Sequence, residues 1–172
     1  MRYEVHGPFP IQKTNRLIDH SANAKRLFWE AVEEVELGLS RAVGCYVFCI
    51  GKKPWYAGVA ERQAFNRECF ALHKIVAFNS ALNKVKRGKP QLILISKMTN
   101  QGRFAKPSVN GHRASKFLED MIIGMTLAAN AEAVNIKGTK FPKELSVPGV
   151  INTPQGKGSK KSVQFLRSVL RT

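Results

Sequence analysis

The chain has 172 residues, of which 44% are apolar and 23% are charged. This is the balance of a globular protein, so wholesale disorder is excluded and the length predicts a single domain. Lys and Arg number 28 against 12 Asp and Glu, which gives a formal net charge of +16. No apolar run reaches the roughly 18 residues of a membrane span, and the first residues do not resemble a signal peptide. Because three cysteines are too few for a disulfide framework, we expect a reducing, cytoplasmic setting without membrane contact.

All of the excess positive charge lies after residue 43. Residues 1–43 contain six basic and six acidic residues, and no acidic residue occurs between Glu68 and Glu119. A basic stretch of this kind attracts polyanions, of which nucleic acid is the commonest, so we expect a DNA partner, with RNA left open. The cations predicted to contact nucleic acid are Lys74, Lys84, Lys86, Arg87, Arg103, Lys106, Arg113 and Lys116, with Lys157, Lys160 and Lys161 in the basic tail.

The N-terminal third predicts an arm followed by a helix. Residues 1–20 have few periodic apolar positions and two prolines, so an irregular arm is expected there. Ser21 is a suitable helix cap. Apolar residues recur at helical spacing from Phe28 to Leu39, which predicts a helix that ends near Gly44.

The central part of the chain predicts a hairpin, a helix, a third strand and a second helix. Residues 44–51 and 55–59 are short runs rich in β-forming residues, joined by a turn. Helical spacing extends over 62–86, and an apolar run at 91–98 predicts the third strand. The second helix is predicted to start at Ser115 or just before it.

These elements predict an α/β fold with a small, three-stranded, mainly antiparallel sheet flanked by helices. Residues 44–138 are expected to form the core, with the arm and accessory helix of 1–43 packed on it. Residues 139–172 are expected to form a basic extension that ends in a short helix docked on the same compact domain. The periodic apolar residues of 163–170 indicate that helix.

Two glycine–tyrosine motifs flank the predicted turn of the hairpin. They are Gly44-Cys-Tyr46 and Tyr56-Ala-Gly58, separated by nine residues, and together they resemble the signature of the GIY-YIG nuclease superfamily. The resemblance continues with Arg67 in the next predicted helix, then the third strand, then Glu119 in a Leu-Glu-Asp-Met-Ile segment. It covers roughly residues 44–135 in the family's order.

The resemblance implies a metal-dependent endonuclease that hydrolyses phosphodiester bonds in DNA. It implies that Tyr46 activates or positions the attacking water and that Tyr56 hydrogen-bonds the phosphate or a metal-bound water. Arg67 would offer its guanidinium to the phosphate oxygens. Glu119 would hold a divalent metal, Mg²⁺ or Mn²⁺, both of which accept oxygen ligands.

Glu119 is also notable without the resemblance, because it is the first carboxylate after fifty residues without one. The alternative is an ordinary helix glutamate that pairs with Lys116. Asp120 points in another direction on a helix and is the weaker candidate ligand. The family's downstream asparagine matches Asn130, which returns to the face of Glu119 if the helix persists, or Asn135 if the helix ends early. We favour Asn130.

One departure from the family pattern bears on catalysis. Many members have His or Tyr four residues after the arginine, where this chain has Ala71. His73 is a candidate to replace that group as general base or phosphate ligand, and Lys74 is a candidate to replace or assist Arg67. The departure leaves open an alternative, a catalytically inactive nucleic-acid-binding module on the same fold.

Overall fold

A computed structural model describes residues 1–135 and 161–170 of the chain. The chain divides into two units, Met1–Asn135 and Ile136–Thr172. The first unit contains an antiparallel sheet whose four strands lie in the spatial order β1 (Arg2–Pro10), β6 (Pro90–Met98), β4 (Gly44–Ile50) and β5 (Lys53–Ala60). A separate two-stranded ribbon consists of β2 (Lys13–Thr14) and β3 (Leu17–Ile18). The prediction of an α/β fold is confirmed, and so is the hairpin of β4 and β5.

The prediction of an irregular N-terminal arm and of only three sheet strands is wrong, because β1 forms a fourth strand against β6. Two features of β1 explain why the sequence pattern does not predict this strand. It lies at the edge of the sheet, where prolines are tolerated because the outer N–H groups need no partner. Its register also shifts between His6 and Phe9, which interrupts the alternation of apolar side chains that marks a strand.

The first helix, α1 (Ala22–Val35), starts as predicted and ends earlier than predicted. The Ser21 side chain accepts a hydrogen bond of 3.2 Å from the backbone N–H of Ala24, as expected of a helix cap. After α1 the Glu33 carboxylate accepts hydrogen bonds from the backbone N–H groups of Gly38 at 2.7 Å and Ser40 at 2.9 Å. These bonds draw the chain into a 3₁₀ turn, so Leu39 is buried without lying on the helix.

The helix predicted over residues 62–86 is two helices, α2 (Phe65–Glu68) and α3 (Leu72–Asn83). Between them Cys69 and Phe70 are both buried, and Ala71 takes an extended backbone conformation that starts α3. Because α2 and α3 are separate helices, the number of residues between a position on α2 and one on α3 does not indicate whether the two side chains lie on the same face. This matters for the site, because the predicted functional residues lie on both sides of the break.

The last helix of the first unit is α4 (Arg113–Ala129), which packs across β5. It begins just before Ser115, as predicted. The main core lies between the sheet and the helices α1 and α3, where the rings of Phe48 and Phe78 stack with centroids 4.2 Å apart. In the second unit α5 (Lys161–Leu170) confirms the C-terminal helix, and its docking stays a prediction. Among the helices described, none has the length and apolar content needed to cross a bilayer.

Candidate functional site

The hairpin brings the two glycine–tyrosine motifs together. Tyr46 pairs with Gly58 across the strands, and Phe48 pairs with Tyr56, so both tyrosines project from the same face of the sheet. Their ring centroids are 6.2 Å apart with an angle of 27° between the planes. A Cβ atom at Gly58 would lie 2.5 Å from the hydroxyl oxygen of Tyr46, and one at Gly44 would lie 2.0 Å from the carbonyl oxygen of Ile95. The glycines of both motifs are therefore required by close packing.

A buried lysine completes this arrangement. Lys74, the third residue of α3, is only 9% exposed. Its Nζ donates a hydrogen bond of 2.8 Å to the hydroxyl of Tyr56 and lies 3.2 Å from Oε1 of Glu68. The same Nζ is 5.2 Å from the ring centroid of Tyr56 and 5.9 Å from that of Tyr46, distances typical of cation–π contacts. We refer to Tyr46, Tyr56, Glu68 and Lys74 as the tyrosine–lysine cluster.

The surroundings of the cluster determine its protonation. Burial, assisted by the neighbouring Cys69 and Tyr56, holds the pKa of Tyr46 well above its usual value. Tyr46 therefore remains a neutral hydroxyl at neutral pH, and this hydroxyl is fully buried without a hydrogen-bond partner among the described residues. Burial lowers the pKa of Lys74, but the hydrogen bond to Tyr56 and the Glu68 charge outweigh it and raise this pKa overall. Lys74 is a permanent cation at neutral pH.

Arg67, which the resemblance assigns to catalysis, forms no side-chain hydrogen bond or ion pair with the cluster among the described residues. It is exposed on α2 and shares a groove of about 640 Å³ with Arg41 and Lys106. Within the described residues, 1–135 and 161–170, none of these three cations forms an ion pair. His73 is exposed beside Lys74 and makes none of the cluster's hydrogen bonds. The groove is lined by Gly38, Arg41, Ala64, Asn66, Arg67, Phe104, Ala105, Lys106 and Pro107.

Glu119 is nearly buried on α4 and is paired with a lysine. Its carboxylate, with 11% side-chain exposure, lies 2.5 Å from Nζ of Lys116, and Asp120 lies 3.6 Å from the same Nζ. The pKa of Cys45 at the start of β4 rises to about 12, first through burial and next through the negative charge of Glu119. The same charge contributes to the raised pKa of Tyr46. Glu119 therefore lies near the start of β4, close to the first motif.

The surroundings of Glu119 are compatible with a divalent metal. No group of three His, Cys, Asp or Glu side chains suited to a metal occurs in the described part of the chain. However, Mg²⁺ keeps several of its waters and is often held by one or two carboxylates together with substrate phosphates. The carboxylate of Glu119 already accepts one cation, the ammonium of Lys116. A single-carboxylate site of this kind fits the residues present.

The two candidate asparagines have structural contacts. Asn130 caps the C-terminus of α4, where its Nδ2 donates a hydrogen bond of 2.8 Å to the carbonyl of Pro54. Asn135 makes two hydrogen bonds with the backbone of Ala57, accepting from its N–H at 2.9 Å and donating to its carbonyl at 2.7 Å. Both side chains are buried, and both hold the chain around α4 against β5. Each amide thus makes one donor and one acceptor hydrogen bond with the backbone.

The remaining predicted cations are dispersed. Lys86 and Arg87 line a small depression with Lys13 and Arg16. Lys84 donates a hydrogen bond of 3.1 Å to a backbone carbonyl at Glu132. Arg103 and Arg113 are exposed, and Lys161 begins α5 in the second unit. Lys157 and Lys160 lie outside the described residues.

Sequence reasoning missed Glu68 and Arg41 as members of the candidate site. Glu68 forms an ion pair with Lys74, but the two residues lie six positions apart on different helices. Helical periodicity therefore could not predict that they meet. Arg41 lies in the 3₁₀ turn and reaches the groove of Arg67 only through the tertiary fold.

The chain matches no protein-family model, no curated protein and no solved structure.

Proposed function

We propose that this protein is a metal-dependent endonuclease that hydrolyses phosphodiester bonds in DNA, as members of the GIY-YIG superfamily do. The observation that carries the proposal is the position of Lys74, whose ammonium contacts the tyrosines of both motifs. Burying an ammonium among aromatic rings is costly unless it is paired, and a core that only needed packing would use an apolar residue there. A buried cation with a specific hydrogen-bond partner and a specific carboxylate partner is typical of a functional site.

The hydrogen-bond directions in the cluster suit phosphate chemistry. Because the Tyr56 oxygen accepts from Lys74, its own O–H remains available to donate to a phosphate oxygen. Lys74 would stabilise the negative charge that develops on the phosphate in the transition state, and Glu68 would hold the ammonium in place. Tyr46, kept neutral by burial, would donate a hydrogen bond once substrate binding opens access to it.

Glu119 is the residue that would hold the metal. When bound, a divalent cation neutralises phosphate charge and stabilises the leaving oxygen. The near-burial of the Glu119 carboxylate strengthens its attraction for any cation, because the surrounding dielectric constant is lower than that of water.

The groove of Arg41, Arg67 and Lys106 is the proposed path of the DNA backbone. Its cations are exposed and form no ion pair within the described residues, so they are available to phosphates. Phe104 and Pro107 add apolar surface to the same walls. Arg67 is thereby proposed to bind the DNA backbone rather than to take part in the reaction.

Nicking of supercoiled plasmid tests the proposal. Wild type and Glu119→Gln would be compared with Mg²⁺, Mn²⁺ or EDTA, alongside linear single strands, branched DNA and RNA. Glu30→Gln is a matched control, because Glu30 is an exposed helix carboxylate in an ion pair with Arg26. The proposal predicts metal-dependent nicking that Glu119→Gln reduces at least 100-fold and Glu30→Gln leaves unchanged. Cleavage in EDTA, or equal cleavage by Glu119→Gln, would contradict it.

A second candidate is a nucleic-acid-binding module without activity. Two observations favour it, namely that Tyr46 has no solvent exposure and that Arg67 lies outside the cluster. Such a module would bind DNA through the groove, cleave no substrate with any metal, and bind equally well or more tightly after Glu119→Gln. Binding and cleavage measured on the same preparations distinguish the two candidates.

A further inference from the structure

Lys116 has two carboxylates within reach on the same helix. Its Nζ is 2.5 Å from Oε2 of Glu119 and 3.6 Å from Oδ1 of Asp120. The spacings of three and four residues put both acids on the side of α4 that Lys116 occupies. Lys116 is therefore shared between a nearly buried carboxylate and an exposed one.

The two carboxylates differ in their need for a cation. The Glu119 side chain is 11% exposed, whereas those of Asp120 and Lys116 are 54% and 53% exposed. An ionised carboxylate removed from water requires a compensating charge, and an exposed one is stabilised by solvent. The short contact of Lys116 with Glu119 follows from this difference.

A divalent cation at Glu119 would remove the need for Lys116 and would repel its ammonium. The lysine side chain is flexible, carries a mobile point charge and is half exposed, so it can leave Glu119 without disturbing the core. Asp120 is the carboxylate already within 4 Å of that ammonium. Transfer to Asp120 would preserve an ion pair on the helix surface.

We propose that Lys116 competes with the divalent metal for Glu119, and that Asp120 receives its ammonium when the metal binds. The inference rests on the proposed function, because it takes Glu119 as the metal ligand. In the metal-free protein the ammonium of Lys116 compensates the charge of Glu119 and holds its side chain in position. The same contact weakens metal affinity, so Lys116 acts as a positioning residue that sets the metal concentration at which the site fills.

Mn²⁺ binding to the full chain without DNA tests the inference, with free Mn²⁺ followed by electron paramagnetic resonance. The proteins are wild type, Lys116→Gln, Asp120→Asn, the double variant, Glu119→Gln and Arg113→Gln. Arg113→Gln removes one positive charge from the same helix without a contact to Glu119. Circular dichroism of each protein checks that the fold is retained.

The expected pattern is a coupling between Lys116 and Asp120. Lys116→Gln lowers the dissociation constant for Mn²⁺ about two- to fivefold, the range expected when one partly exposed ion pair is removed. Asp120→Asn raises this constant in wild type but changes it less than 1.5-fold in the Lys116→Gln background. Arg113→Gln changes it less than twofold.

Different outcomes would overturn different parts of this account. If Glu119→Gln abolishes Mn²⁺ binding while Lys116→Gln behaves as wild type, the competition is contradicted and the metal site stands. If Asp120→Asn weakens binding equally in both backgrounds, Asp120 acts through its own charge and the transfer is wrong. If no variant shows binding that depends on Glu119, the inference and the proposed metal site both fall.

Discussion

The ammonium of Lys74 reaches from α3 to the hydroxyl of Tyr56 on β5, 18 positions earlier in the chain, over a distance of 2.8 Å. This contact connects β5, which carries the second glycine–tyrosine motif, with α3, which lies outside both motifs. It places a permanent positive charge at the tyrosine pair, whereas the arginine named by the resemblance lies in a separate groove. The catalytic cation and the DNA-binding cations of the proposed enzyme are therefore different residues, and each can be changed without the other.

The packing of Gly58 against Tyr46 predicts a large effect of one methyl group. In Gly58→Ala the new Cβ would lie 2.5 Å from the Tyr46 hydroxyl oxygen and 3.0 Å from Cε1 of Tyr56. Both rings are rigid, and Tyr46 is fully buried, so the structure must shift. We expect a loss of about 1–3 kcal/mol in the free energy of unfolding, the usual cost of overpacking, measured by urea denaturation.

Gly124 provides the matched control. It lies within α4, and a Cβ there would meet nothing within 4 Å. Gly124→Ala is expected to stabilise the protein by up to about 1 kcal/mol, because alanine favours helix more than glycine. Equal stability of Gly58→Ala and wild type would show that Tyr46 does not occupy the space described.

Asn135→Ala tests whether the downstream asparagine is structural. The substitution leaves the buried N–H and carbonyl of Ala57 without their partners, so we expect a loss of about 2–4 kcal/mol in the free energy of unfolding. Asn130→Ala removes the hydrogen bond to Pro54 and should cost about 1–3 kcal/mol. A catalytic role would instead appear as lost DNA cleavage at unchanged stability.

The buried cysteines predict that stability falls at alkaline pH. Burial raises the pKa of Cys45 to about 12 and that of Cys49 to about 11, against an ordinary value of 9.0 in the unfolded chain. Above pH 9 the unfolded state releases these protons and the folded state keeps them. The free energy of unfolding therefore decreases as pH rises from 9 toward 11, by up to about 1.4 kcal/mol per pH unit for each thiol.

Urea denaturation between pH 7 and pH 11 measures this decrease. The contribution of the thiols is fully present below pH 9, so no change from this source is expected there. Cys49→Ala should flatten the slope between pH 9 and pH 11 relative to wild type. An unchanged slope in that variant would show that the Cys49 thiol titrates as it does in the unfolded chain.

The groove predicts a defined salt dependence of DNA binding. Each of Arg41→Gln, Arg67→Gln and Lys106→Gln should weaken binding and reduce the slope of log K against log salt by about 0.9 per lost phosphate contact. Arg26→Gln is the control, because Arg26 is an exposed arginine paired with Glu30 on α1. Fluorescence anisotropy at several salt concentrations measures the slopes. Identical slopes for all four variants would exclude the groove as the binding surface.

Local patterns in the sequence predicted the parts of the fold that depend on neighbouring residues. The hairpin, strand β6, the Ser21 cap and α4 follow from apolar periodicity and capping chemistry. Strand β1 was missed because an edge strand with prolines and a register shift lacks that periodicity. The break at Ala71 was missed because the burial of Cys69 and Phe70 depends on residues distant in the chain.

In the candidate site, too, the sequence predicted the contacts that follow from local spacing and not those that follow from tertiary packing. The pairing of Tyr46 and Tyr56 follows from hairpin register, and the pairing of Glu119 with Lys116 follows from helical spacing. The role of Arg67 in catalysis was assigned by resemblance and stays a prediction, and the structure places its side chain in the groove with Arg41 and Lys106. The position of Lys74 depends on how α3 packs on the sheet, which no local pattern encodes.

Single-turnover cleavage of a labelled DNA by Lys74→Gln and Arg67→Gln separates a catalytic lysine from a DNA-binding arginine, with affinity measured on the same substrate in Ca²⁺. We expect Lys74→Gln to lower the cleavage rate about 100- to 1,000-fold, the usual cost of losing a group that stabilises transition-state charge. Affinity should be nearly unchanged in that variant. Arg67→Gln should weaken affinity while the rate at saturating DNA stays near that of wild type. A collapse of the rate in Arg67→Gln, with full activity in Lys74→Gln, would show that Arg67 and not Lys74 is the catalytic cation.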